Sequence, residues 1–141
     1  MNDCVNKIKE RFGNRLNVFE KSAKRIYIDV KPEDWTEVAG FIFNDLYARY
    51  QIMTGTDTKD AVEVLLHFAF DKDGMVVSLR TLVKKPGCEI DSVANMITGA
   101  EWIEREIMEI LGVKFRNHPN PKHLLLTEDW DGKYPFRKDN V

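Results

Sequence analysis

Residues 61–83 read AVEVLLHFAFDKDGMVVSLRTLV, two apolar stretches on either side of the polar segment Asp71-Lys72-Asp73-Gly74. Both stretches are rich in β-branched and aromatic residues, which favour strands. Gly74 can adopt a positive φ, as a tight turn between antiparallel strands requires. The stretch therefore predicts a β-hairpin.

The segments around this hairpin extend it into a sheet with helices. Residues 15–30 alternate apolar and polar side chains and predict a second hairpin, and residues 49–54 predict a further strand. Hairpins rather than βαβ crossovers indicate an α+β fold with a mainly antiparallel sheet and helices packed on it. Apolar spacing and capping residues predict helices over residues 3–12, from Pro32 to about Leu46, over Ser92–Ile97 with Asp91 as cap, and over Glu101–Leu111.

The pattern changes after this last helix. Pro119, Pro121 and Pro135 stand among apolar residues that show no sustained period. We therefore divide the chain into a core domain of residues 1–112 and an extended C-terminal arm of residues 113–141.

Composition excludes several classes of protein. The chain of 141 residues has 21 Lys and Arg against 23 Asp and Glu, a net charge of −2, which does not indicate a nucleic-acid binder. The longest stretch without Asp, Glu, Lys or Arg, Ser92–Ala100, is far shorter than the ~18 residues of a membrane helix. Cys4 and Cys88 are too few to ligate an iron–sulfur cluster, and the start of the chain does not resemble a signal peptide.

Two groups of polar residues are candidates for chemistry. His118 and His123 have a spacing found in zinc sites, but neither a Cys pair nor an HExxH motif accompanies them. Glu104 and Glu106 are paired carboxylates of the kind used in acid–base catalysis. Neither group is accompanied by a recognisable substrate pocket motif.

The same helix has a simpler interpretation. Glu101–Arg105 and Arg105–Glu109 are spaced as i,i+4 pairs of opposite charge, typical of a salt-bridged surface helix. Such exposed pairs stabilise a helix by about 0.2–0.5 kcal/mol each.

Residues 99–139 read GAEWIEREIMEILGVKFRNHPNPKHLLLTEDWDGKYPFRKD. This segment resembles the signature of the 30 kDa subunit family of respiratory complex I, which includes the equivalent subunit of energy-converting membrane-bound [NiFe] hydrogenases. Glu109 and Leu111 depart from it, since the family usually has Asp and Phe there. The matching positions are Gly99, Ala100, Trp102, Glu104, Arg105, Glu106, Gly112, Val113, Phe115, His118, Pro119, Asp129, Trp130, Gly132, Pro135, Arg137, Lys138 and Asp139.

The resemblance implies an accessory subunit that binds no cofactor. Family members dock on the catalytic large subunit, 49 kDa-like or hydrogenase-like, which holds the [NiFe] centre or its quinone-site counterpart. They lie near the small Fe–S subunit, in the hydrophilic arm at the cytoplasmic face of the membrane. The short chain favours the hydrogenase or another ferredoxin-linked branch over NADH dehydrogenase.

The resemblance and the arm together predict a partner interface. Arginine and aromatic side chains are enriched at interfaces, and an arm without a core of its own needs a neighbouring surface. Two alternatives are a free-standing adaptor on the same fold and a small enzyme using Glu104, Glu106 or His118. The predicted interface residues are Glu104, Arg105, Glu106, His118, Pro119, Trp130, Phe136, Arg137, Lys138 and Asp139.

Overall fold

The computed structural model describes residues 3–138 and contains three α-helices and seven strands in that range. A turn of 3₁₀-helix precedes the second α-helix, and a π-helical segment continues it to Asp45. In chain order the elements are α1 (Asp3–Phe12), β1 (Asn17–Ser22), β2 (Arg25–Asp29), α2 (Trp35–Gly40), β3 (Arg49–Asp57), β4 (Ala61–Phe70), β5 (Met75–Lys84), β6 (Glu89–Asp91), α3 (Glu101–Leu111) and β7 (Lys114–Arg116).

Five strands form one sheet in the order β1-β2-β5-β4-β3. The β4–β5 and β1–β2 hairpins are both present, and three of the four strand pairs are antiparallel. The predicted α+β fold with a mainly antiparallel sheet is therefore confirmed. In residues 117–138 the described chain contains neither helix nor strand.

One strand pair departs from the prediction of hairpins alone. Strands β2 and β5 pair in parallel, with Ile28 opposite Leu79 and Asp29 opposite Arg80. The chain leaves β2, forms α2, and adds β3 and β4 before β5 returns beside β2. Parallel neighbours need such a crossover, and a helix that covers the sheet supplies it.

The helices cover one face of the sheet. Alternate residues of β4 and β5, such as Leu66 and Leu79, point into the core and have no solvent exposure. The apolar stripe predicted for α2 is buried there through Trp35, Val38 and Ile42. Burying each such side chain contributes about 1.5–3 kcal/mol, so this face supplies most of the stabilisation of the fold.

Helix α3 packs directly against β3. A Cβ atom added to Gly55 would lie 2.7 Å from Cδ1 of Leu111, so the absence of a side chain at residue 55 permits the close approach. The helix ends where predicted, because Gly112 adopts a φ of 74° and its N–H bonds to the carbonyl of Met108.

The helix predicted over Ser92–Ile97 is wrong, since residues 92–97 form only a turn. Asp91 ends β6 and pairs with Arg116 at 2.8 Å, so it is not available as a cap. Ser92 Oγ instead accepts the N–H of Ala94 at 3.0 Å. Tertiary hydrogen bonds described below compete with the helical ones here.

The start of the predicted arm packs against the core. Strand β7 pairs in parallel with β6, and Val113 and Phe115 are buried in the hydrophobic cluster. The division of the chain at residue 112 stays a prediction.

We expect Gly55→Val to destabilise the protein by about 1–3 kcal/mol, because the new side chain overlaps Leu111 and forces it and Ile107 to repack between α3 and β3. Urea unfolding measures this change. Thr56→Val, an exposed position on the same strand, serves as the control and should change stability by less than about 0.5 kcal/mol. Equal stability of the two variants would contradict the packing described for α3.

Candidate functional site

The carboxylate of Glu104 is fully buried beneath α3. It accepts hydrogen bonds from Ser92 Oγ at 2.5 Å and from the N–H of Val93 at 2.9 Å. Burial raises the pKa of Glu104 to about 7, although these hydrogen bonds oppose the shift. Burial also raises the pKa of Tyr50, and the nearby charge of Glu104 raises it further. Glu104 thus joins α3 to the loop after β6.

His118 lies next to Glu104 and is equally inaccessible to solvent. Its Nε2 is 3.7 Å from Glu104 Oε1 and 3.1 Å from the carbonyl oxygen of Glu101. Its Nδ1 accepts the N–H of Asn120 at 2.9 Å. These contacts fit a ring in which Nε2 donates to the carbonyl oxygen of Glu101 and Nδ1 accepts from Asn120. His118 therefore fixes the start of the arm against α3.

The structure brings together only two of the three residues named for a catalytic alternative. Glu104 and His118 are adjacent but have no solvent exposure. Glu106, two residues further along α3, projects about 200° around the helix from Glu104. A substrate would reach the buried pair only if α3 moved away from the loop that covers it.

Glu109 binds the arm, a role that the sequence pattern did not indicate. Its carboxylate accepts the backbone N–H groups of Leu124 at 2.9 Å, Leu125 at 2.6 Å and Leu126 at 3.2 Å. The residue is buried, and hydrogen bonds to a charged group are about twice as strong as neutral ones. Glu109 therefore anchors three consecutive residues of the arm on α3.

Arg105 strengthens the same attachment. Its Nε donates to the carbonyl of Lys122 and its Nη2 to the carbonyl of His123, both at 2.8 Å. The i,i+4 ion pairs predicted with Glu101 and Glu109 do not form within residues 3–138. Arg105 and Glu109 instead bond to backbone groups of the arm. These bonds could not be predicted from the sequence, because the arm shows no periodic pattern.

A second anchor holds the far end of the arm. Lys85 Nζ pairs with Asp57 Oδ1 at 2.6 Å, and both side chains are nearly buried. The N–H of Lys138 donates to Asp57 Oδ2 at 2.8 Å, and Arg137 Nε lies 3.8 Å from Oδ1. Arg137 also donates to the carbonyl of Leu111 at 3.0 Å. The end of the described arm thus meets the end of the sheet.

The remaining predicted interface residues differ in exposure. Pro119, Trp130 and Phe136 are exposed, and Glu106 is half-buried. Trp130 Nε1 donates to the carbonyl of Lys133 at 2.7 Å, which fixes the orientation of its ring. Asp139 lies outside the described residues. The assignment of these residues to a partner interface stays a prediction.

Two exposed apolar side chains near the arm were missed as interface candidates. Trp102 on α3 is 66% exposed, and Leu125 on the arm is 67% exposed. The apolar character of both residues was visible in the sequence, but their exposure depends on tertiary packing; that of Leu125 goes with the attachment of its backbone to Glu109.

The described residues contain no group of three His, Cys, Asp or Glu side chains arranged to hold a metal ion. His123, one of the zinc candidates, lies with Nδ1 2.9 Å from the carbonyl oxygen of Thr127. Between residues 3 and 138, no helix has the length and apolar character needed to span a membrane.

Comparison with known proteins identifies clear relatives. The family model described as "Respiratory-chain NADH dehydrogenase, 30 Kd subunit" matches residues 28–141. The C subunit of NADH-quinone oxidoreductase from Citrifermentans bemidjiense is 32% identical over 98% of this chain and 88% of its own length. The C subunit of F(420)H(2) dehydrogenase from Methanosarcina mazei is 37% identical over 57% of this chain and 51% of its own.

A solved structure shares the fold. The structure of the membrane-bound sulfane sulfur reductase, an archaeal respiratory membrane complex, contains a chain that matches with a TM-score of 0.83 and 19% identity. The match covers 97% of this chain and 83% of that chain. The arrangement of helices and strands described above is therefore found in a solved structure.

Glu104 makes the stability of the fold depend on pH. Its folded-state pKa of about 7 lies above the ordinary value of 4.5, so unfolding releases a proton between these values and stability falls as pH rises through that interval. The shift corresponds to about 3 kcal/mol. We expect Glu104→Gln to remove this pH dependence. The free energy of unfolding of the variant, relative to that of wild type, should therefore rise by about 3 kcal/mol from pH 4 to pH 8.

Urea unfolding at a series of pH values measures this difference. Glu106→Gln, on the same helix but half-exposed, is the matched control and should follow the wild-type curve. If the free energies of unfolding of wild type and Glu104→Gln changed with pH in parallel, Glu104 would have the same pKa in the folded and unfolded chains, and the prediction would be wrong.

Glu109→Ala should release the arm while leaving the sheet intact, because three N–H groups lose their shared acceptor. Each such charge-assisted bond contributes about 1.5–3 kcal/mol, enough to raise proteolysis of the arm by about tenfold or more. Limited proteolysis read by mass spectrometry locates the cleavages. Glu128→Ala removes an exposed charge from the same arm and should not change the rate.

Proposed function

The chain belongs to the family of the 30 kDa subunit of respiratory-chain NADH dehydrogenase, and from this premise we propose that it is an accessory subunit of a membrane-bound, complex I-like oxidoreductase. It binds the catalytic large subunit, the counterpart of the 49 kDa or hydrogenase large subunit, and the small Fe–S subunit. In this role it stabilises the large subunit in the hydrophilic arm of the complex. It lies at the cytoplasmic face of the membrane as a peripheral subunit.

One observation carries the proposal: α3 and the arm present large apolar side chains to solvent. Trp102, Leu125 and Phe136 form what we call the apolar surface, each about two-thirds exposed. Leu125 is tied to Glu109, and the N–H of Phe136 donates to the carbonyl of Ile110 at 3.0 Å. All three side chains are therefore positioned by the same helix.

Exposed apolar side chains on an anchored backbone are suited to a protein interface. Isolated exposed apolar residues are common, whereas a contiguous group of them marks an interaction surface. We propose that these three residues belong to one such surface. Aromatic side chains anchored in advance lose little conformational entropy on binding and are frequent hot spots. A large partner subunit would cover this surface.

The charged residues of the signature serve the interface indirectly. Arg105 and Arg137 donate to carbonyls of the chain itself, and Glu104 is buried. We propose that these residues hold the arm in the shape that the partner recognises. The half-buried Glu106 and the exposed Pro119 are available for direct contact.

The chemistry of the chain supports a subunit without redox centres. The chain has two cysteines, Cys4 on α1 and Cys88 just before β6. An iron–sulfur cluster needs about four ligands close together. We propose that the Fe–S clusters and the [NiFe] centre or quinone site reside in the partner subunits. The names of the relatives refer to different electron donors, NADH in one and F(420)H(2) in the other. The proposal therefore concerns the structural role of the subunit and does not specify the donor.

Co-purification from membranes of the native host tests the proposal. We expect tagged chain to retain a large subunit and an Fe–S subunit through detergent extraction. Replacing both Trp102 and Phe136 by Ser should lower their recovery by about tenfold or more, because each hot-spot aromatic contributes about 2 kcal/mol or more. Phe19→Ser, an equally exposed aromatic on β1, is the control and should assemble normally.

The isolated double variant should melt like wild type, since both side chains are exposed. Recovery of the wild-type chain alone, without a large subunit or an Fe–S subunit, would contradict the proposed function. Normal assembly of the double variant would contradict the assignment of the apolar surface.

A further inference from the structure

A small pocket lies between α3 and the arm. Its volume is about 210 Å³, and its walls include Arg105, Met108 and Glu109 of the helix, and Pro121 and Tyr134 of the arm. Sites for small molecules and cofactors usually have about 300–1,000 Å³. The pocket is therefore too small for most cofactors, but it is large enough for a single side chain of another protein.

Hydrogen bonds within the arm fix the walls of this pocket. Trp130 Nε1 donates to the carbonyl of Lys133 at 2.7 Å, and the N–H of Trp130 donates to the carbonyl of Thr127 at 3.1 Å. The guanidinium carbon of Arg137 lies 5.6 Å from the centre of the Tyr134 ring. Because the pocket is formed in the chain itself, filling it requires little reordering.

Cationic side chains outnumber anionic ones around the pocket. Arg105, Lys122 and Lys133 line it, against the single carboxylate of Glu109. That carboxylate already accepts three backbone N–H groups of the arm, whose dipoles offset its negative charge. The pocket therefore attracts an anion more strongly than a cation.

The cationic groups keep donors that the chain does not use. Arg105 donates from Nε and Nη2 to the carbonyls of Lys122 and His123, and its Nη1 has no partner among residues 3–138. Within the same range, neither Lys122 nor Lys133 forms an ion pair through its ammonium group. Cationic groups in this state are complementary to a ligand that supplies a negative charge.

The pocket lies beside the apolar surface. Leu126 lines the pocket and directly follows Leu125, and Arg105 lies one turn along α3 from Trp102. Tyr134, another lining residue, precedes Phe136 by two positions. A subunit that covers the apolar surface is therefore placed to reach the pocket as well.

We propose that an acidic side chain of the catalytic large subunit enters this pocket, with its carboxylate beside Lys122 and Lys133. This inference rests on the proposed function and deepens it, because that function supplies the large subunit. The methylene groups of the acidic side chain pack on Met108 and Leu126, which line the pocket. The apolar surface supplies affinity, whereas complementary charge fixes the partner and its orientation.

Carbodiimide coupling tests the inference on the complex purified from native membranes, because this reagent joins a lysine amine to a carboxylate only when the two are in contact. We expect Lys122 or Lys133 to couple to an Asp or Glu of the large subunit, as identified by mass spectrometry of the digested complex. Lys114, whose Nζ lies 3.5 Å from Glu89 Oε1, is the internal control and should couple to Glu89.

Charge reversal provides a second test. The double variant Lys122→Glu, Lys133→Glu should lower recovery of the large subunit by about tenfold or more, because like charges repel across an interface. The isolated variant should melt like wild type, since both side chains are exposed. The double variant Lys21→Glu, Lys72→Glu makes the same change in net charge at two exposed lysines, and as the matched control it should be recovered normally.

The outcomes of the two tests separate the possibilities. Coupling of Lys122 and Lys133 only to carboxylates of this chain, such as Glu128 or Asp131, would overturn the inference, because the arm itself would then neutralise the pocket. Coupling to the Fe–S subunit, or none at either lysine while Lys114 couples, would also overturn it.

The inference can fail while the proposed function holds. Normal recovery of the large subunit with the double variant Lys122→Glu, Lys133→Glu overturns the inference alone. Recovery of the wild-type chain without a large subunit contradicts the proposed function as well.

Discussion

Close packing of α3 on β3 is the constraint on which the C-terminal half of the protein depends. Gly55 allows this approach, and the helix places its two buried carboxylates about 140° apart around its axis. Glu104 bonds to the loop that precedes α3, whereas Glu109 bonds to the arm that follows it. A helix of eleven residues thereby organises a longer segment whose apolar residues show no period of their own.

Within α3 and the arm, some residues hold the chain together and others are exposed for recognition. Glu104, Arg105, Glu109 and Arg137 use their hydrogen-bonding capacity inside the chain. The apolar surface they support remains outside. Buried polar groups of this kind are costly unless satisfied, and once satisfied they favour a single arrangement of the backbone. A preformed surface of this kind loses less entropy when a subunit binds.

Local sequence patterns predicted much of the sheet and the helices. The remaining structure depends on contacts between residues that are distant in sequence. The alternation around Ile28 and the turn at Gly74 are local signals, and both hairpins form. Asp91 is also a local signal for a helix start, but it pairs with Arg116, and the Ser92 hydroxyl donates to Glu104, twelve residues later. Glu109 looked like half of an exposed ion pair because its true partners lie in a segment without periodicity. Sequence spacing carries no information about such contacts.

The parallel pairing of β2 with β5 has a consequence for how the chain reaches its native topology. The two hairpins join residues close in sequence, whereas the ion pair of Asp29 with Arg80 spans 51 residues. Closing so long a loop costs entropy before the contact stabilises anything. The hairpins can form early and independently, and their docking through β2 and β5 sets the contact order of the domain. The cooperative folding of the whole sheet therefore depends on the pairing of β2 with β5.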